Sequence, residues 1–242
     1  MTEPDLPLRP NWRLPDGICA AISTVTAPGN VAVHVGDDPA KVLLRRRHLQ
    51  RSLQLPQAPK WLRQQHTTYA VCAEHSSAGV VADAIWSTQG EVCAVLTADC
   101  LPILLCSEDA SVIAALHAGW RGLANGIITR TVAQLPVSPA RLRAYIGPAI
   151  TQPHFQVGSI VYDAFVAQGL ADSRSFLPDG EDKWRADLPL LAERMLHRVG
   201  ISHVTQSGLC TYSDERFYSY RRDPNCGRIA TLIWNNKNHV PS

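Results

Sequence analysis

The amino-acid sequence predicts an α+β fold, a mixed α/β arrangement of layered, mixed β-sheets with flanking helices. Three observations carry this. Residues 93–118 hold three apolar runs, CAVLTADC, PILLCS and SVIAALHA, separated by turn residues such as Ser107, Glu108 and Asp109, a pattern of short central strands buried on both faces. Helix-start signals stand on either side of that block, in DDPAKVLLRRRHLQRSL and DLPLLAERMLHRVG. The stretch SHVTQSGLCTYSDERFYSYRRDPNCGRIATLIW alternates enough to supply two closing strands around a polar loop.

Taken in order, a proline-rich entry leads into ICAAIST, which reads as a strand. The next segment reads as a helix opened by Asp37 or Asp38, with Pro39 in its first turn, where a missing N–H costs nothing. WLRQQ, YAVCAE and GVVADAIW are short and rich in β-formers, and the three apolar runs follow. Residues 119–135 carry helical spacing, LRAYIG returns as a strand, and GSIVYDAFVAQG reads as a helix. The last helix has Asp187 as N-cap, Pro189 in the first turn and Gly200 beyond its end. No repeat or linker interrupts residues 18–234, so the expectation is one catalytic domain there, an N-terminal extension over 1–17 and a flexible tail over 235–242.

Hydrophobic residues make up 45% of the 242 residues and charged residues 18%, the composition of a globular protein with a sizeable core. The net charge of +2 is too small for a nucleic-acid footprint. No run approaches the roughly 18 apolar residues of a membrane span, and the start lacks the apolar core of a signal peptide. The expectation is a cytoplasmic chain. Seven cysteines without a C-x-x-C pair argue against a disulfide framework and for thiols that are reduced and mostly buried.

His66, Cys100 and His117 each follow an apolar run, where the ends of adjacent strands converge. Two imidazoles and a thiolate suit Zn²⁺ and leave a fourth position open. The same residues also suit a cysteine nucleophile with a histidine base, with Asp99 orienting an imidazole in either scheme. Inert core packing is the plain alternative. Blue copper would want an axial methionine, and the chain has only Met1 and Met195. Among the basic groups, Arg45 and Arg47 read as a solvated face, whereas Arg121 and Arg222 lie in Gly- or aromatic-flanked loops suited to an anion. His34 and His154 stay open.

TADCLPILLC, HAGWRGLANGI, YIGPAI and CTYSDERFYSYRRD, together with HVGDDP and QQH at 64–66, resemble the YfiH or laccase-domain family, also labelled polyphenol oxidase or peptidoglycan editing factor. The likeness runs from about residue 19 to 234. It implies a single-domain fold similar to a cytotoxic-necrotizing-factor catalytic domain, with one zinc held by His66, Cys100 and His117. It implies activity on purine nucleosides: phosphorolysis of adenosine, inosine and methylthioadenosine, and deamination of adenosine. The rival activity is hydrolysis of an amide in a muramyl nucleotide precursor, by the metal site or by Cys100.

The resemblance also carries substrate or phosphate contacts onto Asn30 and Arg46. In such a phosphorolysis Arg46, with Arg121, would hold the phosphate, and the metal or a nearby acid such as Asp99 would support the leaving base. The implied partners are purine nucleosides and phosphate, with no nucleic acid or membrane, for a monomer or homodimer. The chain departs from the family pattern in a shortened loop, TVTAPGN, and in Arg45, Gln156 and Cys226. The shortened loop bears on substrate specificity.

Overall fold

The computed structural model describes residues 6–236. In chain order these form β1 (Ile18–Ile22), α1 (Pro39–Ser52), β2 (Ala70–Cys72), β3 (Ala84–Ser87), β4 (Cys93–Thr97), β5 (Leu101–Ser107) and β6 (Ile113–Ala118). Then come α2 (Trp120–Ala124), α3 (Ile127–Val132), β7 (Leu142–Ile146), β8 (Gln156–Gly158) and α4 (Ser159–Val166). The chain continues through β9 (Phe176–Pro178), β10 (Lys183–Ala186), α5 (Leu188–Arg198), β11 (His203–Gln206) and β12 (Ile229–Asn235).

The strands make a six-stranded sheet in the order β11-β7-β5-β6-β3-β2, and two three-stranded sheets, β1-β12-β4 and β8-β10-β9. The large sheet is mixed: β2–β3 and β11–β7 pair in parallel, and the remaining neighbours run antiparallel. Every residue of β5 and β6 is buried, and the period of two explains why. Leu101, Ile103 and Leu105 face a core shared with Leu123, Ile127, Phe165 and Leu191 of the helices. Leu104 and Cys106 face the opposite way, against Ile22, Val95, Ile229 and Ile233 of the β1-β12-β4 sheet. On the far side of that sheet Leu49 of α1 packs with Ala94, Leu232 and Trp234. The layers therefore run helices, large sheet, small sheet, α1. Each fully buried Leu or Ile contributes roughly 1.5–3 kcal/mol.

The capping signals act as the sequence suggests. Asp38 accepts from the Ala40 N–H ahead of Pro39, and Asp187 accepts from the Leu190 N–H. The region before the first strand is held as well: Leu8 bridges Ile22, and Trp12 stacks on Tyr145 with ring centroids 5.6 Å apart. Asn235 ends β12, and the Asn236 N–H bonds to the Gly17 carbonyl. The remainder of the expected tail, 237–242, lies outside the described residues.

Four expectations need correction. WLRQQ forms no strand; only Arg63 bridges, to Val81, and the Gln64 amide bonds both the N–H and the carbonyl of Leu96, each at 2.8 Å. The 119–135 helix is broken into α2 and α3 at Gly126, whose φ of 90° is left-handed. CAVLTADC and PILLCS stand in different sheets, because β4 pairs with β12 and the chain crosses between layers at Ala98–Cys100. All seven cysteines are free thiols, but Cys19, Cys72, Cys100 and Cys210 are only half-buried.

Candidate metal centre

The layer crossing is what presents Cys100. Asp99 adopts a left-handed φ of 92°, an uncommon conformation for a residue with a side chain. Its carboxylate holds the turn, accepting from the Thr211 hydroxyl at 2.6 Å and from the Arg221 N–H at 2.7 Å. His117 is the penultimate residue of β6 and pairs with Pro102 of β5, which places it beside Cys100. His66 comes from the loop before β2, with φ 57°.

The three donor atoms lie within 4.8 Å of one another, and Cys100 Sγ is 3.7 Å from His66 Nε2. A tetrahedral ion with the bond lengths of Zn²⁺ would hold sulfur and nitrogen about 3.6 Å apart, so the spacing fits a metal. The two imidazoles meet edge to face with centroids 4.8 Å apart. Gly119 leaves room for them: a Cβ there would stand 2.8 Å from His66 Cδ2 and 2.9 Å from Cys100 Sγ.

Asp83, fully buried, organises both histidines. Its Oδ1 lies 2.7 Å from His117 Nδ1 and accepts from the His66 N–H at 3.1 Å. Its Oδ2 accepts from the N–H groups of Gln65 and Thr67 and from the Thr67 hydroxyl. The carboxylate fixes His117 with Nδ1 inward, leaving Nε2 for a metal. This is the imidazole-orienting role expected of Asp99, and it belongs to Asp83. Burial raises the Asp83 carboxyl, yet the His117 and Thr67 contacts outweigh it and hold it at about 2. Burial likewise opposes charge on Cys100 and His117, and their mutual attraction prevails: the thiol is shifted down and the imidazole up. Both shifts favour the thiolate–imidazolium form of the pair.

Above the donors opens a cleft of about 520 Å³, lined by His34, Gln64, His66, Asp99, Cys100, His117, Trp120, Arg121, Phe155, Tyr220, Arg221 and Arg228, among others. A second cleft of about 380 Å³, lined by Arg13, Asp16, Glu108, Asp109 and Arg143, shares none of these residues. Arg121 is exposed, its guanidinium 4.4 Å above the Trp120 ring. Asn30 and Arg46 do not line the cleft. Asn30 is buried and bonded to Ala32, Asp37 and the Arg228 N–H. Arg46 donates Nε–H to the Val31 carbonyl and lies 4.3 Å over Trp61, where burial lowers its pKa to about 10. Arg222 is occupied by the carbonyls of Thr211, Tyr212 and Phe217. Arg45 is not simply solvated, since it pairs with Asp37. Asp83, Arg228 and Gln64 were not singled out in the sequence. The signal for Asp83 was there: an acid inside the apolar run GVVADAIW must find a buried partner.

The family model described as multi-copper polyphenol oxidoreductase laccase matches residues 20–236. The chain belongs to the laccase-domain, or YfiH, family. Within it, a protein from Escherichia coli named purine nucleoside phosphorylase YfiH is 40% identical over 236 residues, 93% of this chain and 97% of the relative. A Pseudomonas aeruginosa protein named purine nucleoside phosphorylase is 41% identical over 238 residues, 94% of this chain and 97% of the relative. A crystal structure from Neisseria meningitidis superposes with a TM-score of 0.90 at 38% identity, covering 96% of this chain and 100% of that one. YlmD from Geobacillus stearothermophilus superposes with a TM-score of 0.86 at 26% identity, 98% of each chain covered. The family match thus covers most of the described residues, and no helix among them is long and apolar enough to cross a membrane.

Proposed function

We propose that this laccase-domain chain is a zinc-dependent purine nucleoside phosphorylase that splits adenosine, inosine and methylthioadenosine with phosphate and also deaminates adenosine. The observation that carries the reading is the His66–Cys100–His117 donor set opening into a cleft with both aromatic and cationic walls. The names of the relatives agree with it. When bound, zinc supplies a Lewis-acid charge beside the substrate.

The protein groups do the rest. His66, Cys100 and His117 hold the metal, and Asp83 orients the His117 imidazole and anchors the backbone of the His66 loop. Trp120 and Phe155 offer apolar faces to the purine, and a base stacked on them is fixed in angle. Arg121 supplies positive charge where phosphate approaches the ribose carbon. We assign Asp99 to positioning, because both carboxylate oxygens are engaged in holding the turn. Arg46 contributes its field from behind the wall.

A second reading is a cysteine hydrolase acting on an amide of a muramyl nucleotide precursor. It draws on the line of groups Cys100, His117 and Asp83, a thiol shifted down, an imidazole shifted up and a buried carboxylate 2.7 Å from the imidazole Nδ1. A copper oxidase is disfavoured by the donors themselves. One three-residue group is found among the described residues, and Met195 packs in the helical core rather than on it. Incubating the purified protein with inosine and phosphate, with adenosine, and with a serine-bearing muramyl nucleotide separates the readings. Base release that requires phosphate supports the phosphorylase; turnover of the muramyl substrate alone sinks it.

A further inference from the structure

We propose that His34 and Arg228 form the anion subsite of the cleft and that its ligand is inorganic phosphate, the co-substrate of the phosphorolysis on which this inference rests. Both residues line the cleft. They arrive from distant parts of the chain, His34 from the loop before α1 and Arg228 from the residue before β12. Asn30 rivets the two segments: its Oδ1 accepts from the Arg228 N–H at 2.9 Å and from the Ala32 N–H at 3.0 Å. That use of Asn30 also accounts for a buried amide that never reaches the cleft.

The subsite is cationic without a counter-ion. Among the described residues no carboxylate lies within 4.0 Å of Arg228 or Arg46. Asp37, on the same loop as His34, is already paired with Arg45. The hydrogen bonds of Arg228 engage Nη1 alone, with the Cys226 and Gly227 carbonyls and Cys226 Sγ. Nε and Nη2 therefore have no hydrogen-bond partner among the described residues, and the guanidinium lies 5.8 Å from the Tyr220 ring centroid. Arg46 stands behind, its Nε on Val31. Burial first, then the charges of Arg228 and Arg46, lower the pKa of His34, so its neutral imidazole is favoured there and the positive charge of the subsite is that of the guanidinium groups. Partly desolvated guanidinium groups left unpaired are costly, and a phosphate with its tetrahedral oxygens is the anion a guanidinium fork fits. Arg221, by contrast, spends Nη1 and Nη2 on the carbonyls of His154 and Gln156.

The reaction balances with the phosphate alone. An oxygen of monohydrogen phosphate forms a bond to the anomeric carbon of the ribose as the bond from that carbon to the purine nitrogen breaks. The base leaves with the electron pair, and the proton of the phosphate ends on it.

The test is steady-state phosphorolysis of inosine by the metal-loaded protein, with phosphate varied at saturating nucleoside and the reverse. Arg228→Gln and His34→Gln are expected to raise KM for phosphate about tenfold or more while KM for inosine moves less than about twofold. Arg47→Gln, on the exposed face of α1, is expected to change neither. Calorimetric titration of inorganic phosphate into each folded variant gives a second readout, with folding checked by circular dichroism. If Arg228→Gln disturbs its loop, His34→Gln decides. Phosphate KM within about twofold of the wild type in both variants overturns the subsite and leaves the phosphorylase reading standing. If the wild type shows no phosphorolysis, that reading fails, and the titrations alone judge the subsite. Binding lost in the variants supports it, and binding equal in all proteins, or absent from the wild type, overturns it.

Discussion

At Asp83 one carboxylate serves both histidine arms, taking the His117 ring on Oδ1 and the backbone of the His66 loop on both oxygens. Replacing it by Asn keeps the shape but removes the charge and offers an amide N–H to groups that all donate. Asp83→Asn is expected to weaken metal affinity about 10–100-fold, the usual effect of losing a carboxylate behind a histidine ligand. Competition with a chromophoric chelator measures it, and an unchanged affinity would show that the backbone alone orients the site. Gly119 makes a complementary point through space rather than charge. Gly119→Ala drives a methyl group to within 3 Å of two ligands, at 2.8 Å and 2.9 Å. Metal stoichiometry should fall with the far-ultraviolet spectrum unchanged, and full occupancy would mean that the ligands can retreat.

Among the elements, the turn after β2 is tied to the one after β3 by Glu74. Its Oε1 accepts from the Ser87 hydroxyl and the N–H groups of Thr88 and Gln89, and its Oε2 accepts from the Cys72 thiol. Burial opposes the charge, but these bonds win and hold the pKa at about 2 against an ordinary 4.5. A depressed carboxylate stabilises fully above the unfolded value and loses that contribution as pH falls from there through the folded value. The urea midpoint should therefore fall more steeply in the wild type than in Glu74→Gln below about pH 5, and parallel curves would contradict the assignment. On α4, Phe165 is fully buried, its ring centroid 5.9 Å from that of Phe176 on β9. Phe165→Ala should cost about 3–5 kcal/mol in denaturant unfolding. Much of this level was legible in the sequence. The capped helices and buried runs announce themselves locally, through Asp38, Asp187 and the apolar stretches. The separation of β4 from β5, the break at Gly126 and the capture of Gln64 by β4 depend on partners distant in sequence. The same holds at the site: His66, Cys100 and His117 stand out by residue type, whereas Arg228 gains its position from Asn30, 198 residues away.

For the whole molecule, two sheets packed face to face are what bring a loop residue, a layer-crossing residue and a strand end to one point. Only His117 of the three is carried by a regular strand, so the centre depends on the packing that surrounds it rather than on one short motif. The overall charge of +2 is nearly neutral, yet Arg121, Arg221 and Arg228 gather at the cleft, a distribution suited to a small anionic co-substrate rather than to a polyanion. The deciding measurement is the rate of hypoxanthine release from inosine, with and without phosphate, by protein stripped with a chelator and then reloaded with zinc. Release is expected to require phosphate, to be lost on stripping and to return with about one zinc per chain, while stripped protein stays folded. Release that survives complete metal removal, or no release from the zinc-loaded protein, would contradict metal-dependent phosphorolysis.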